Sequence, residues 1–457
     1  MVDFCDTIIY NVTPSFLSKK RKSEMKMKYS KLVVAFAAMT SVTAMGAGFG
    51  LYEASARGLG MGNGLVGSTK DASANYYNPA NLTELTNASV MVGMTLINPF
   101  CDVKVDGQTQ AKMNAGWFPP PHAYIAVPVL KDLVFGFGTY CEYGLGTKYD
   151  NGWDLRFDTT ETTIQQFTFN PNIAYKITDA WSVALGARMS YITFENYKTP
   201  WDSQNFFEPG GLTPYPAGTP LGPQYIRTHL KGDDFNCGYE FATQYKVTDD
   251  LKLGFVYRSR INHRIEGDMD AKSGGTVAPS AAPRNGGASA KLVLPSSFTM
   301  GANYDFTKKF RGGVSLTWTE WSTIDHIDFR LPKTIQGVDK SYAEELNWRN
   351  AWRTGFGFEY DFTDSFTGRI GYTYDMDPAN KKKGTTMIPS GDRHIIGFGA
   401  SYRFLEDWRI DLGYSFIIME SETRKVHAEN GPIGKNYRFQ CDNSYSHLIS
   451  ASIAYTF

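Results

Sequence analysis

The chain has 457 residues with 46 Lys and Arg against 46 Asp and Glu, so it lacks the basic excess that phosphate binding needs, and nucleic acid is excluded as a partner. Hydrophobic residues make up 42% and aromatics 14%, with 44 Gly, yet mean hydropathy is negative. Beyond one N-terminal segment, no apolar run reaches the ~18 residues of a spanning helix, which excludes a helical membrane protein.

In chain order, residues 1–24 fit no targeting scheme and read as a start codon placed too early, with Met25 or Met27 the true start. Residues 25–46 form a secretory signal: Lys26, Lys28 and Lys31 supply the charge, Leu32 to Val42 the apolar stretch, and Ala44-Met-Gly46 the small-x-small cleavage site. Residues 47–87 are too rich in Gly, Ala and Asn to alternate and too poor in charge to be a disordered tail. They must be packed against something.

Five turns of nearly one formula follow: Ile177-Thr-Asp-Ala-Trp181, Val247-Thr-Asp-Asp-Leu251, Phe306-Thr-Lys-Lys-Phe310, Phe362-Thr-Asp-Ser-Phe366 and Phe404-Leu-Glu-Asp-Trp408. Val129-Leu-Lys-Asp-Leu133 is a degenerate sixth. Six turns join six strand pairs, and one strand at each end brings the count to fourteen. The predicted strands are 88–98, 122–129, 133–143, 164–177, 181–197, 227–247, 251–263, 289–306, 310–319, 352–362, 366–374, 393–404, 408–418 and 445–457. Between them lie long polar connections, among them 198–226, 264–288 and 320–351. Short turns at one end and long loops at the other are the pattern of an outer-membrane barrel.

Face by face, the alternation agrees. Trp408, Ile410, Leu412, Tyr414 and Phe416 share one side of a strand, and Arg409, Asp411, Gly413 and Ser415 the other. A soluble sandwich has the same pattern on single strands, so closure must decide. The last strand places Ile449, Ala451, Ile453, Tyr455 and Phe457 on one face and ends on an aromatic, as do strands recognised by the barrel-assembly machinery of Gram-negative bacteria. The expected fold is an all-β membrane protein, a 14-stranded antiparallel transmembrane β-barrel over 88–457. Its lumen would be plugged by 47–87 as a small N-terminal hatch, because a barrel of this size otherwise encloses an aqueous hole. Ordinary hydrophilic porins lack such a hatch.

Ala47-Gly-Phe-Gly-Leu-Tyr-Glu-Ala-Ser-Ala-Arg-Gly-Leu-Gly60, Asp71-Ala and Asn78-Pro-Ala80 closely resemble the mature N-terminus and hatch of the FadL-type long-chain fatty acid transporters, which include the TodX-like aromatic hydrocarbon channels. Ile388-Pro-Ser-Gly-Asp-Arg393 resembles the family segment before its twelfth strand, and Leu294-Pro295 the start of its eighth. The resemblance implies a monomer in the outer membrane that takes hydrophobic molecules past lipopolysaccharide, holds them near the hatch N-terminus, and releases them sideways through the wall. It makes Phe49 the aromatic that touches ligand. It also sets Asn78, Pro79 and Ala80 against the kinked strand that forms the opening.

Arg188, Arg353, Arg369 and Arg409 fall on the polar face and are candidate partners for a ligand carboxylate, with Glu359 and Asp411 as competing partners. Fatty acid and neutral hydrocarbon remain open as cargo. Gly62-Asn-Gly-Leu-Val-Gly67 matches a dinucleotide fingerprint by letter but lacks a preceding strand, and no nucleophile elbow, zinc motif or Cys-x-x-Cys occurs. No catalytic residue, metal or cofactor is expected. Cys101 and Cys441 should meet near the outer rim on neighbouring strands, as a disulfide or as free thiols.

Overall fold

The computed structural model describes residues 48–457 except 114–115, 152, 154, 203–224, 275–284, 334–336, 338–340 and 428–435. The expected prefix and signal segment lie outside the described residues, as do the centres of the 198–226 and 264–288 connections.

The strands are β1 (Ser89–Val105), β2 (Gln108–Lys112), β3 (Pro121–Leu130), β4 (Leu133–Tyr140), β5 (Gly144–Lys148), β6 (Glu161–Lys176) and β7 (Trp181–Asp202). Next come β8 (Tyr225–Lys246), β9 (Leu251–Arg258), β10 (Ile261–Gly274), β11 (Gly286–Leu294), β12 (Ser297–Asp305), β13 (Phe310–Thr319) and β14 (His326–Arg330). The chain finishes with β15 (Tyr342–Glu345), β16 (Ala351–Asp361), β17 (Phe366–Asp375), β18 (Arg393–Arg403), β19 (Trp408–Met419), β20 (Thr423–His427) and β21 (Asn436–Thr456).

Fourteen of these make the ring, each antiparallel to the next: β1, β3, β4, β6, β7, β8, β9, β12, β13, β16, β17, β18, β19 and β21. β21 returns to β1 over a register running from Ser89↔Thr456 to Val105↔Phe439. The barrel is closed, and closure rules out the sandwich. No helix among the described residues is long and apolar enough to cross a membrane.

The repeated turn formula has a local cause. In four turns the second residue is Thr, and its hydroxyl accepts the closing residue's N–H: Trp181 N to Thr178 Oγ1 at 3.1 Å, Leu251 N to Thr248 Oγ1, Phe310 N to Thr307 Oγ1 and Phe366 N to Thr363 Oγ1 each at 3.0 Å. The side chain thus satisfies a donor that the turn leaves free. The fifth turn has Leu405 there, and Trp408 N bonds the Leu405 carbonyl instead. Outward faces carry exposed Phe356, Phe358, Ile370, Ile410 and Leu412, whereas inward Asp411 and Ser415 are fully buried.

The strands differ from expectation at the long-loop end. β1, β7 and β8 extend beyond the membrane-sized segments, and β2, β14, β15 and β20 are additional short strands there. The predicted strand 133–143 is interrupted after Tyr140, 251–263 is broken at Ser259 and Arg260, and 289–306 at Pro295 and Ser296. Proline explains the last, since it cannot donate to a ladder.

The segment before β1 lies inside the ring. It holds two short helices, α1 (Ala56–Gly60) and α2 (Ala74–Tyr77), and a 3-10 helix over Pro79–Glu84. Ser55 Oγ caps α1 by accepting Gly58 N at 3.0 Å, and Asn78 Oδ1 caps the 3-10 helix by accepting Ala80 N at 3.0 Å, with Pro79 at its first position. The wall meets this segment backbone to backbone. A methyl group at Gly313 would come within 1.9 Å of the Gly64 carbonyl oxygen, and one at Gly355 within 2.0 Å of the Gly62 oxygen. Inward glycines therefore set how closely the plug seats.

Candidate functional site

Between β4 and β5, Cys141, Glu142 and Tyr143 leave the ladder. β4 pairs with both β3 and β6, but β5 pairs with β6 alone, so the wall is unzipped from this point toward the long-loop end. The start of the plug takes up the freed backbone: Leu51 N donates to the Glu142 carbonyl at 2.7 Å, Gly144 N donates to the Phe49 carbonyl at 2.9 Å, and Gly50 bridges Tyr143. Gln166 on β6 supports the break from the other side, its Oε1 accepting Glu142 N at 3.0 Å and Tyr143 N at 3.3 Å.

Those backbone bonds hold the Phe49 ring, fully buried, among Trp321 (centroids 5.2 Å), Tyr143 (5.6 Å) and Trp348 (5.9 Å). Gly48 takes φ +65°, a left-handed position that favours glycine, and a methyl there would come within 3.1 Å of Trp321 and Trp348. Its N–H donates to Ser390 Oγ at 3.1 Å, which ties the plug start to the Ile388–Arg393 segment. Around Phe49 an apolar cluster extends through Ile192, Phe194, Ile261, Ile265, Leu294 and Phe329.

Below the rings is a cavity of about 30 Å³ lined by Leu51, Tyr52, Tyr76, Tyr143, Trp321 and Arg353, with Thr and Ser side chains and Glu142 and Arg258 completing it. That is room for about one water molecule. Arg353 lies over the Tyr52 ring at 3.2 Å, and its Nη2 donates to Thr317 Oγ1 at 3.4 Å. Its Nη1 is shielded from solvent and has no hydrogen-bond partner among the described residues.

The other candidate arginines are committed to protein acids. Arg188 pairs with Glu142 at 2.5 Å and donates to the Ser259 carbonyl at 2.8 Å. Toward the short-turn end, plug and wall share one ion network. Arg57 bonds Asp71 at 3.2 Å and Glu359 at 3.2 Å; Arg409 bonds Asp71 at 2.9 Å and Asp411 at 3.0 Å; Arg369 bonds Glu359 and lies 3.6 Å from Asp411. Arg311 closes it on Glu359 at 2.5 Å and Asp361 at 2.6 Å. Burial alone would raise the Asp71 carboxyl, but Arg409 and then Arg57 outweigh it and hold the group well below the usual carboxylate range. Beyond the network, a cavity of about 620 Å³ opens at the short-turn end beside Lys70, Asp71, Glu84, Arg403 and Arg409.

Asn78 Nδ2 donates to the carbonyls of Val66 at 2.8 Å and Thr243 at 3.0 Å, so Asn78 is pinned to β8 and packs beside Gly254 of β9. The 3-10 helix that Pro79 and Ala80 begin packs against β4, β6, β7 and β8, with Leu82 at Gly136 of the interrupted strand. Asn75 reaches the same glycine. Its Oδ1 would stand 2.3 Å from a methyl at Gly136 of β4. Cys101 and Cys441 lie on adjoining β1 and β21 in one apolar cluster, both buried and free. Sequence reasoning missed Arg57, Glu142, Arg258 and Arg311. Inward charge on an aromatic strand was the available signal for Arg311, and none marked the others. Among the described residues no His, Cys, Asp and Glu cluster is placed to hold a metal.

A closed 14-stranded barrel with an apolar face outward, a packed lumen and an interrupted wall strand defines an outer-membrane transport protein. Residues 37–457 match the model of the family described as "Outer membrane protein transport protein (OMPP1/FadL/TodX)", and the chain belongs to that family. It is 26% identical over 460 residues to the long-chain fatty acid transport protein of Escherichia coli O6:H1, covering 94% of this chain and 99% of that protein. In fold it is similar to a Pseudomonas aeruginosa FadL homologue (TM-score 0.75, 21% identity, 90% of this chain and 100% of the other). It is also similar to the P. putida toluene transporter TodX (TM-score 0.68, 20% identity, 89% and 98%). The protein resides in the outer membrane of a Gram-negative bacterium and transports hydrophobic compounds.

Proposed function

We propose that the cargo is a long-chain fatty acid, and that the observation carrying this reading is Arg353. Its unpartnered Nη1 faces a small cavity directly beneath the aromatic rings around Phe49. A buried cationic donor without a partner is costly, and a carboxylate supplies the missing hydrogen bond and charge at once. The cavity is too small for an alkyl chain, so the ligand takes the space of Phe49 and draws the plug start away from Tyr143 and Gly144. Differential affinity for the displaced state then couples binding to opening.

Exit follows at the unzipped stretch, where Phe49 to Leu51 cover the backbone of residues 142–144 on the side away from β6. A straight path is disfavoured, because an apolar chain would have to displace eight charged side chains at the short-turn end. In this reading 47–87 is the hatch, and the barrel acts as a monomer. The barrel-assembly machinery inserts it by its aromatic last strand, and the cargo bypasses lipopolysaccharide.

An aromatic hydrocarbon is the second reading, favoured by the ring cage of Tyr143, Trp321 and Trp348 around Phe49. Tryptophan fluorescence of the purified protein during titration with oleate or toluene separates the two. Saturable quenching by oleate at far lower concentration than by toluene is expected, with faster uptake of labelled oleate by cells that carry the protein. Equal or weaker response to oleate overturns the fatty-acid reading.

A further inference from the structure

The lumen wall beside the ligand pocket contains a hydrogen-bonded serine, histidine and aspartate that transport does not use. Ser190 on β7 and His263 on β10 are buried, and His263 Nε2 lies 3.0 Å from Ser190 Oγ. The other ring nitrogen, Nδ1, lies 2.8 Å from Asp234 Oδ2 on β8, and the same carboxylate accepts Arg264 N at 3.2 Å. The Gln166 amide nitrogen donates to Ser190 Oγ at 3.0 Å and to Thr168 Oγ1 at 2.7 Å. An ionised Asp234 can only accept, so Nδ1–H points at it, and in the neutral ring Nε2 is left to accept from the Ser190 hydroxyl. The polarity is that of an activated hydroxyl, with a base and a group that orients the base.

Placement adds a second observation. His263 lies between Ile261 and Ile265, and Ser190 precedes Ile192; all three isoleucines belong to the apolar cluster that holds Phe49. Gln166 also grips the backbone of Glu142 and Tyr143, the residues that pair with the start of the plug. The serine is thus linked through Gln166 to the backbone that the plug start covers.

We propose that Ser190, His263 and Asp234 form a hydrolytic site for carboxylic esters with a long apolar chain that enter the pocket. Ser190 Oγ attacks the acyl carbon while its proton passes to His263 Nε2. The ester C–O bond breaks, and the alcohol leaves with that proton. Water then gives a proton to His263, and its oxygen attacks the acyl-serine, releasing the acid and restoring the hydroxyl. Ser190 and His263 are the catalytic residues, and Asp234 is a positioning residue. Gln166, with its amide nitrogen on Ser190 Oγ and Thr168 Oγ1, is a second positioning residue that orients the serine. The proposal uses the apolar pocket but does not depend on which cargo is transported.

The test treats purified full-length protein with a long-chain alkyl fluorophosphonate probe and, separately, with p-nitrophenyl palmitate. The expected result is one labelled residue, Ser190 by peptide mass, with ester turnover that Ser190→Ala abolishes. Asp234→Asn is expected to lower turnover by roughly 10³- to 10⁴-fold while leaving KM nearly unchanged, a split that a packing defect does not give. Heat-modifiable migration on gels verifies the folded barrel in each variant. Wild-type protein that is folded and quenched by oleate, yet neither labels at Ser190 nor hydrolyses ester faster than Ser190→Ala, overturns the hydrolytic site and leaves the transport reading standing. Failure of oleate to quench, with Ser190 still labelled, does the reverse.

Discussion

Replacing Asp71 by Asn should loosen the plug without unfolding the barrel. Asp71 is the only plug acid in the ion network among the described residues, with Arg409 at 2.9 Å, Arg57 at 3.2 Å and a side chain 4% exposed. Removing one partner from a buried pair typically costs ~3–5 kcal/mol. Here both arginines keep another acid, Arg57 with Glu359 and Arg409 with Asp411, and Asn retains an acceptor for Ser73 N. The net loss is therefore about 2 to 3 kcal/mol, which raises the displaced population roughly 30- to 150-fold. Amide hydrogen exchange over residues 56–78 reads this directly. Asp361→Asn is the control, since Asp361 bonds Arg311 and Thr367 on the wall and not the plug. Equal exchange in wild type and Asp71→Asn, or equal loosening by Asp361→Asn, would refute the latch. The pH dependence has a definite sign. A carboxyl held below its ordinary value of 3.8 stabilises fully above that value and loses the contribution as pH falls through the lowered one. Wild-type exchange, corrected for the intrinsic rate, should thus stay flat from neutral pH down to the ordinary carboxylate range. It should approach the Asn variant only in stronger acid.

Arg353→Gln should weaken binding of oleate by about ten- to a hundredfold and leave toluene binding unchanged, measured by fluorescence titration, because a charged hydrogen bond is worth roughly 1.5–3 kcal/mol. Gly313→Ala should displace the plug from β13, since the added methyl meets the Gly64 oxygen, and should raise exchange at residues 61–66 while the barrel keeps its heat-modifiable migration. Under mild oxidation Cys101 and Cys441 should join, so that alkylation after denaturation without reductant misses both; a Cys101→Ser and Cys441→Ser double variant should remove the difference.

The barrel was legible because two physical rules write themselves into single strands. Lipid on one side and a crowded lumen on the other force alternation such as Trp408 to Phe416 against Arg409 to Ser415, and a free turn donor selects Thr at 178, 248, 307 and 363. The added strands at the long-loop end were not legible because they are too short to show a period: β14 sets Ile327 and Phe329 against His326, Asp328 and Arg330 over only 5 residues, and β15 spans 4. Neither was the interruption at Cys141 to Tyr143. It contains no Pro or Gly, and its cause is long-range: Glu142 meets Arg188 and Arg258, and the plug supplies the backbone partner. The sequence placed Arg353 on the lumen face but not the open nitrogen, which depends on what its neighbours bond. Ser190, Asp234 and His263 are on three strands, with the serine and histidine 73 residues apart, a spacing no local motif encodes.

The ion network divides evenly between its two owners. Arg311, Arg369 and Arg409 face Glu359, Asp361 and Asp411 on the wall, while the plug contributes one cation, Arg57, and one anion, Asp71. When the plug moves it therefore takes a neutral pair with it and leaves a neutral ring behind. Within this network the displacement is an electroneutral exchange, and the plug's Lys70 and Glu84 likewise leave Asp305 and Lys252 of the wall behind as one negative and one positive charge.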